Sequence, residues 1–498
     1  MLSDFLVVIF VAFALFLVRR KSLADRSSRG CPFPPGPPRQ PLLGNLLQIP
    51  RFRAWHTFLS WKHQYGGVVY AEALGNGILI LNTMEAVTDL LEKRASVYSD
   101  RPTLTMVGEL MGLDNSMPML QYGAAWKQQR KLAHTALSPE AVKKYHTVQE
   151  DIVAMYVNSL LEKPEDFASQ LRLTAGRVIM SVTYGLPVQT PDDLYITDAE
   201  RTMEMIGKAT VPGAFLTDLI PQRKFFFKYI PSWIPFNSIH KTGEDGRRRI
   251  EALVTRPFEH VKRERAKGTE NPSFTADCLD KREMEGTDES DHHILWAAGA
   301  MYGGTFSFLS LFCPFLSTYG TILTFILAMA LFPEVQVKIK DEITQVVGSG
   351  RLPSFQDRDA LPYVNATIKE ALRWSPVLPL GIARQTSEAD FYKGYYIPKG
   401  TIVLPNVWAI SKDDRSGIPS EKFAPERFLT SCVKDTAIDP YNYAFGFGRR
   451  ICPGKHLGDN NLFLLVSHIM ATVDISREKD HDEKEIPLQP SFTAGLVR

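Results

Sequence analysis

"FGFGRRICPG", residues 445–454, decides how the rest of the chain is read. A cysteine holds a metal only as thiolate, and a free thiol is mostly protonated at neutral pH. Cys452 stands directly before Pro453, a residue suited to the first position of a helix, and 453–471 has a helical period. The dipole and unpaired N–H groups of such a helix start stabilise a negative sulfur. Gly446, Gly448 and Gly454 remove side chains where backbone has to lie close to a flat ligand. Arg450, two residues before the sulfur, is placed to reach an anionic group on that ligand's rim. A merely buried cysteine near a helix start explains neither these glycines nor the arginine.

This stretch resembles the haem-ligand signature of the cytochrome P-450 family, Phe-x-x-Gly-x-Arg-x-Cys-x-Gly. Phe445, Gly448, Arg450, Cys452 and Gly454 fill its fixed positions. The resemblance implies that Cys452 is the axial thiolate of haem iron, a ligand that favours O–O cleavage. Upstream, "ATIKEALRW" sets Glu370 and Arg373 one turn apart on a helix, and "FAPERF" carries Arg427. Taken alone, Glu370 and Arg373 could be an exposed helix pair. The family buries such a Glu–Arg–Arg set beneath the haem, where charges are tolerated only if paired; the resemblance gives these three a structural role. "AAWKQQRKLAH" supplies Trp126 and Arg130 at i, i+4, a pair the family uses on haem propionates, for which an indole N–H and a guanidinium are both suited. Arg384, after "PLGIA", occupies a position where relatives place a His or Arg for the same purpose. Exposed cations are the rival reading of these positions. Lys127, Lys131, Lys143, Lys144, Arg449 and Lys455 fall on segments around the thiolate side, and a basic face there suits an acidic flavoprotein reductase.

Outward from these motifs the chain reads as one body. From about residue 50 no linker separates two domains and no internal repeat is present. "VVYAEALGNGILIL" (68–81) and "GYYIPKGTIVLPNVW" (394–408) read as short strands around Gly-containing turns. Helical periods cover 135–162, 166–185, 246–268, 331–348, 361–374 and 453–471, while 282–291 reads as an acidic loop. The expected fold is mainly α with minor β, the cytochrome P-450 fold, in a single haem-binding domain over 50–498.

Before that body, Phe5–Val18 is an apolar run of fourteen closed by Arg19, Arg20 and Lys21. It is shorter than the roughly twenty residues of a full span. A cleaved signal would carry its charge in front of the run and a small-residue site behind it. The expectation is an N-terminal transmembrane anchor with its basic flank (1–21) and a cytosolic body. A proline-rich hinge (22–49) follows, with five prolines from Cys31 to Pro38 making a stiff extended connector. With the resemblance, this implies a single-pass protein of the endoplasmic reticulum membrane. Five scattered cysteines argue for a reducing compartment, and a net charge of +2 gives no electrostatic case for nucleic acid.

The distal stretch departs from the resemblance. "AAGAMYGG" (297–304) corresponds to the helix over the distal haem face, where the family usually has an acid followed by Thr that deliver protons for dioxygen cleavage. Here Gly303-Gly304-Thr305 runs into "FSFLSLFCPFLSTYG", and no charged residue occurs from Ile294 to Pro333. Pro314 would interrupt a helix. A second membrane span is excluded, because one crossing would put Cys452 and Trp126 on opposite sides. An interrupted helix with altered proton delivery and a coding error at a splice junction remain, the abrupt join favouring the latter.

The expected activity is insertion of one oxygen atom from O2 into an apolar small molecule (a secondary metabolite or foreign aromatic). Electrons come from NADPH through a reductase, in the manner of fungal microsomal relatives. A hydroperoxide isomerase or dehydratase, and an inactive product, are the alternatives. Substrate contacts are expected from 101–121, 205–235, 297–304, 377–382 and 491–497, with Met106, Met111, Phe215, Val377 and Phe492 as candidates or as ordinary core. "PSFTAGLVR" (490–498) resembles the family's loop into the pocket, and relatives usually continue past that point.

Overall fold

A computed structural model describes residues 28–210, 238–285, 291–305, 316–413, 415–432 and 435–488. The expected anchor, Phe215, Phe492, Pro314 and the 490–498 loop lie outside them, as does most of 205–235. Helices dominate. In chain order, α1 is Ala54–Tyr65, α2 Ala124–Leu137, α3 His146–Glu162, α4 Phe167–Tyr184, α5 Leu194–Ala209 and α6 Ser238–Lys267. These are followed by α7 Phe274–Glu285, α8 Asp291–Thr305, α9 Leu316–Leu331, α10 Pro333–Val346, α11 Pro362–Trp374 and α12 Lys455–Thr472.

Two small sheets stand beside the helices. β1 (Val68–Ala73) and β2 (Asn76–Leu81) form the expected hairpin, with Val68 opposite Leu81. The second predicted strand pair behaves differently. β5 (Tyr395–Ile397) pairs back onto β4 (Asp390–Tyr392), whereas β6 (Ile402–Pro405) joins β2 in parallel and β3 (Arg384–Gln385) in antiparallel sense. Residues 394–408 therefore feed two sheets, because β6 finds its partner more than 300 residues earlier.

Helix boundaries moved where local chemistry overrode period. The continuous helix expected over 135–162 is broken: α2 ends at Leu137, Ser138 is extended (ψ 158°), and α3 starts at His146. Pro139 is the reason, since the residue before a proline is pushed out of the α region. The acidic stretch 282–291 is helical up to Glu285 and again from Asp291.

Two of the four apolar clusters among the described residues gather most of the helices. One gathers α2, α4, α6 and α8 around Leu132, Ile179, Val254 and Ala297. The other gathers α3, α9, α10, α11 and α12 around Val157, Phe325, Ile339, Ile368 and Leu465. The charge-free α9 thus belongs to the core, with Ile322, Phe325, Ala328 and Met329 fully buried. Among the described residues no single helix is long and apolar enough to cross a membrane, and α9 turns by 107° into α10.

Candidate active site

Cys452 opens into a chamber of about 270 Å³, room for a molecule rather than for an ion or a few waters. The 445–454 loop forms one side of it through Phe445, Gly446, Ile451, Cys452 and Gly454. Val178 and Ile179 of α4, Ala300 and Met301 of α8, and Val377, Leu378 and Ile382 also line it. The loop is held in place by backbone bonding, with Cys452 N–H donating to Phe445 O at 2.7 Å. The Cys452 side chain is exposed to the chamber; desolvation by the nearby protein pushes its thiol up, while the Gly454 N–H, Arg130 and Lys455 act in the opposite direction.

The helix start differs in detail from expectation. Gly454, not Cys452, caps α12, and Pro453 lies in the turn two residues before the first helical position, Lys455. The sulfur is therefore served by a single aimed N–H rather than by a full helix terminus. Gly446 and Gly454 do line the chamber, as their proposed role requires. Gly448 does not. It has φ +49°, and a Cβ there would lie 2.3 Å from Leu91 O, so its glycine is required by the loop's packing on residues 88–93. Gly448→Ala should cost about 2 kcal/mol or more through strain and overpacking, read as a lowered melting temperature together with lost haem retention.

Four guanidiniums line the same chamber: Arg101, Arg130, Arg384 and Arg450. Arg101, Arg384 and Arg450 are buried and Arg130 is half-buried. Arg101 Nε donates to Pro118 O (2.8 Å), and its Nη1 to Ile382 O (3.0 Å) and Ala383 O (2.6 Å). Arg450 donates to Ser99 O, Met117 O and Leu120 O and stacks over Trp126 at 4.8 Å. Arg130 Nη1 meets Ile451 O at 2.6 Å, and Arg384 Nη2 meets Phe447 O at 2.5 Å. Among the described residues none of the four has a carboxylate within ion-pair distance, and each keeps N–H donors unspent.

This arrangement raises the electrostatic cost of each cation. Burial, with Arg450 and Arg384 nearby, holds Arg101 well below the usual guanidinium range. Burial and then Arg450 push Arg384 down to about 9, and burial leads in pushing Arg450 down to about 10. Buried like charges with spare donors fit a ligand that brings anionic oxygens. The buried Trp126, whose indole N–H finds no acceptor among the described residues, faces the same space. Haem, with two carboxylates on one edge and an iron to accept the sulfur, meets each of these demands.

Nothing local in the sequence marks Arg101 as a cation of the site: it falls only in the expected substrate-contact stretch 101–121, and its partners at 118, 382 and 383 are invisible to local pattern. Among the expected substrate contacts, residues 101, 117 and 118, 300 and 301, and 377, 378, 381 and 382 line the chamber; Met106 and Met111 do not, being fully buried in the core. Val178, Ile179, Thr318 and Thr321 line it without having been anticipated.

Glu370, Arg373 and Arg427 come together away from the chamber. They are 0%, 1% and 0% exposed, so the exposed-pair reading fails. Arg373 grips Glu370 with Nε–Oε2 at 2.6 Å and Nη2–Oε1 at 2.9 Å, and Arg427 Nε adds 3.1 Å to Oε1. Their remaining donors take carbonyls at 411, 418, 419, 420 and 422. The set ties α11 to the irregular segment that leads into the signature loop.

The basic face is narrower than expected. Lys127, Lys131 and Arg449 are exposed, but Lys143 pairs with Glu140 and Lys144 with Asp277. Lys455 is half-buried, donating to Tyr441 O and lying over the Tyr441 and Phe445 rings.

Comparison with known proteins agrees with this site. The family model described as cytochrome P450 matches residues 34–496. Cytochrome P450 monooxygenase COX2 of Coprinopsis cinerea is 40% identical over 93% of this chain and 86% of its own length. Cytochrome P450 monooxygenase claR of Ampulloclitocybe clavipes is 36% identical over 97% and 85%. Cytochrome P450 monooxygenase 226 of Postia placenta is 36% identical over 91% and 84%. A cysteine loop in a cation-rimmed apolar chamber and a match over nearly all of its length carry one conclusion: the chain belongs to the cytochrome P450 family and is a monooxygenase of fungal type.

Proposed function

We propose that this chain inserts one atom of O2 into an apolar small molecule, with electrons passed from NADPH through a flavoprotein reductase. The carrying observation is one cysteine sulfur and four guanidiniums, none ion-paired to a carboxylate among the described residues, around one apolar chamber. Bound haem would supply dioxygen activation and electron storage. The chain's own residues do the rest. Cys452 Sγ would hold the iron, with the Gly454 N–H stabilising the sulfur's negative charge. Trp126, Arg130, Arg384, Arg450 and Arg101 would hold the two carboxylates. Phe445 shields the sulfur side, and Gly448 and Gly454 give the loop its path. Val178, Ile179, Ala300, Met301, Val377 and Ile382 exclude water and orient an apolar substrate by shape. The reductase docks on Lys127, Lys131 and Arg449, and residues 1–21 anchor the chain in the endoplasmic reticulum membrane with the body cytosolic.

Esterification of haem's carboxylates tests the assignment. Haem dimethyl ester should bind the apoprotein at least about tenfold more weakly than haem, because two neutral groups leave buried cations uncompensated. Equal affinity would remove the arginines from the proposed role.

A second reading is favoured by one observation. No carboxylate stands between Ile294 and Pro333, so Thr305 has no acid before it to share in delivering protons. A hydroperoxide isomerase or dehydratase needs no such relay, no reductase and no O2. Consumption of hydroperoxides without NADPH, and inertness with NADPH and reductase, would select it.

A further inference from the structure

Lys455 opens α12 three residues after Cys452, half-buried and with no carboxylate in ion-pair distance among the described residues. Helix spacing offers it one. Asp459 stands one turn on, at the i, i+4 position where opposite charges ordinarily pair. That pair is prevented. Arg358, from the turn Phe355–Ala360, donates Nη2 to Asp459 Oδ1 at 2.8 Å, and the Tyr441 hydroxyl donates to the same oxygen. Arg358 is itself fixed, lying over the Phe463 ring at 5.1 Å and donating to Asn365 Oδ1 at 3.2 Å. The other nearby acid, Asp439, is taken by Lys369 at 2.8 Å and by the Tyr441 N–H at 2.9 Å.

What holds the Lys455 ammonium instead carries no net charge. It donates to Tyr441 O at 3.2 Å and lies 5.6 Å from the centre of the Tyr441 ring and 5.9 Å from that of Phe445. These two rings stack on each other, 5.7 Å between centres and 6° from parallel. Ring faces and a carbonyl attract a cation without neutralising it, whereas a carboxylate would cancel much of its field. The Phe445 carbonyl accepts from Cys452 N–H, so the ammonium is held against the loop that carries the sulfur. Its field reaches that sulfur, where it acts together with Arg130.

We propose that Lys455 is kept un-neutralised to raise the reduction potential of the group bound to Cys452, with Tyr441 and Arg358 as positioning residues. Tyr441 supplies the neutral seat, and Arg358 withholds Asp459. A fixed positive charge beside the sulfur favours the state with one more electron, so the bound iron is easier to reduce. This rests on the haem–thiolate reading of the chamber. It gives Lys455 a role different from the docking expected of it beside Lys127, Lys131 and Arg449.

Redox titration of the purified full-chain holoprotein, with its ferrous–CO spectrum, tests the inference. Lys455→Gln should shift the haem potential negative, and Lys455→Arg should restore it. Arg358→Gln, at a residue that does not line the chamber, should shift it the same way by freeing Asp459 to pair with Lys455. The decisive sample is the double variant. Once Lys455 is gone, Arg358→Gln should add no further shift. A Lys455→Gln potential equal to wild type, or two shifts that simply add, would overturn the inference, because additivity is what independent charges or general loosening produce. Should Arg358→Gln retain no haem, Lys455→Gln against Lys455→Arg decides alone. A wild type without the thiolate band would instead sink the haem–thiolate reading, and this inference with it.

Discussion

Glu370→Ala is expected to abolish accumulation of the folded haem protein. Among the described residues the Glu370 carboxylate bonds both the Arg373 and Arg427 guanidiniums, which are 1% and 0% exposed, and its Oε1 also accepts from Ala424 N–H at 2.8 Å. Removing it leaves two buried charges of like sign side by side and frees α11 from the segment that leads to the signature loop. Breaking a buried pair from one side costs about 3–5 kcal/mol, a large part of the stability of an ordinary domain. Glu370→Gln keeps the shape but not the charge, so it should lose most of the same stability. The measurement is soluble yield with haem content, followed by thermal inactivation of whatever folds. A Gln variant with wild-type yield and half-life would show that shape rather than charge holds the segment.

Cys452→Ser should separate fold from chemistry. The loop is held by the Cys452 N–H bond to Phe445 O and by Arg450's three carbonyl bonds, and the variant keeps all of them. Far-UV circular dichroism and the melting temperature of the apoprotein should therefore stay near wild type. Haem retention should weaken, and reductase-dependent oxygenation should fall below detection, because a hydroxyl does not give iron the charge of a thiolate. Retained oxygenation would move the ligand elsewhere.

The ligand loop was legible because its requirements are local: a cysteine, glycines and an arginine within ten residues. The buried triad was legible only through resemblance, since Glu370 and Arg373 alone look like any surface helix pair. Arg101 was not legible as a cation of the site. Its burial depends on carbonyls 17 and more than 280 residues away, which no local period encodes. The parallel β2–β6 contact escaped for the same reason, its partners lying more than 300 residues apart, whereas β4–β5 is a local hairpin across Lys393 and Gly394. Where sequence and structure disagreed at helix ends, single residues account for it: Pro139 stopped α2, and Gly454 took the capping position expected next to Cys452. Lys143 and Lys144 looked like a docking face until their acid neighbours were in place.

The central claim is that Cys452 presents a thiolate to haem in the chamber rimmed by Trp126, Arg130, Arg384 and Arg450. Its most direct test is the absorption spectrum of the purified full chain, reduced and exposed to carbon monoxide. A Soret band at the red-shifted position of thiolate-ligated haem, present in the wild type and lost in Cys452→Ser, is the predicted result. Stoichiometric haem with a band at the position of histidine-ligated proteins, unchanged by Cys452→Ser, would contradict it.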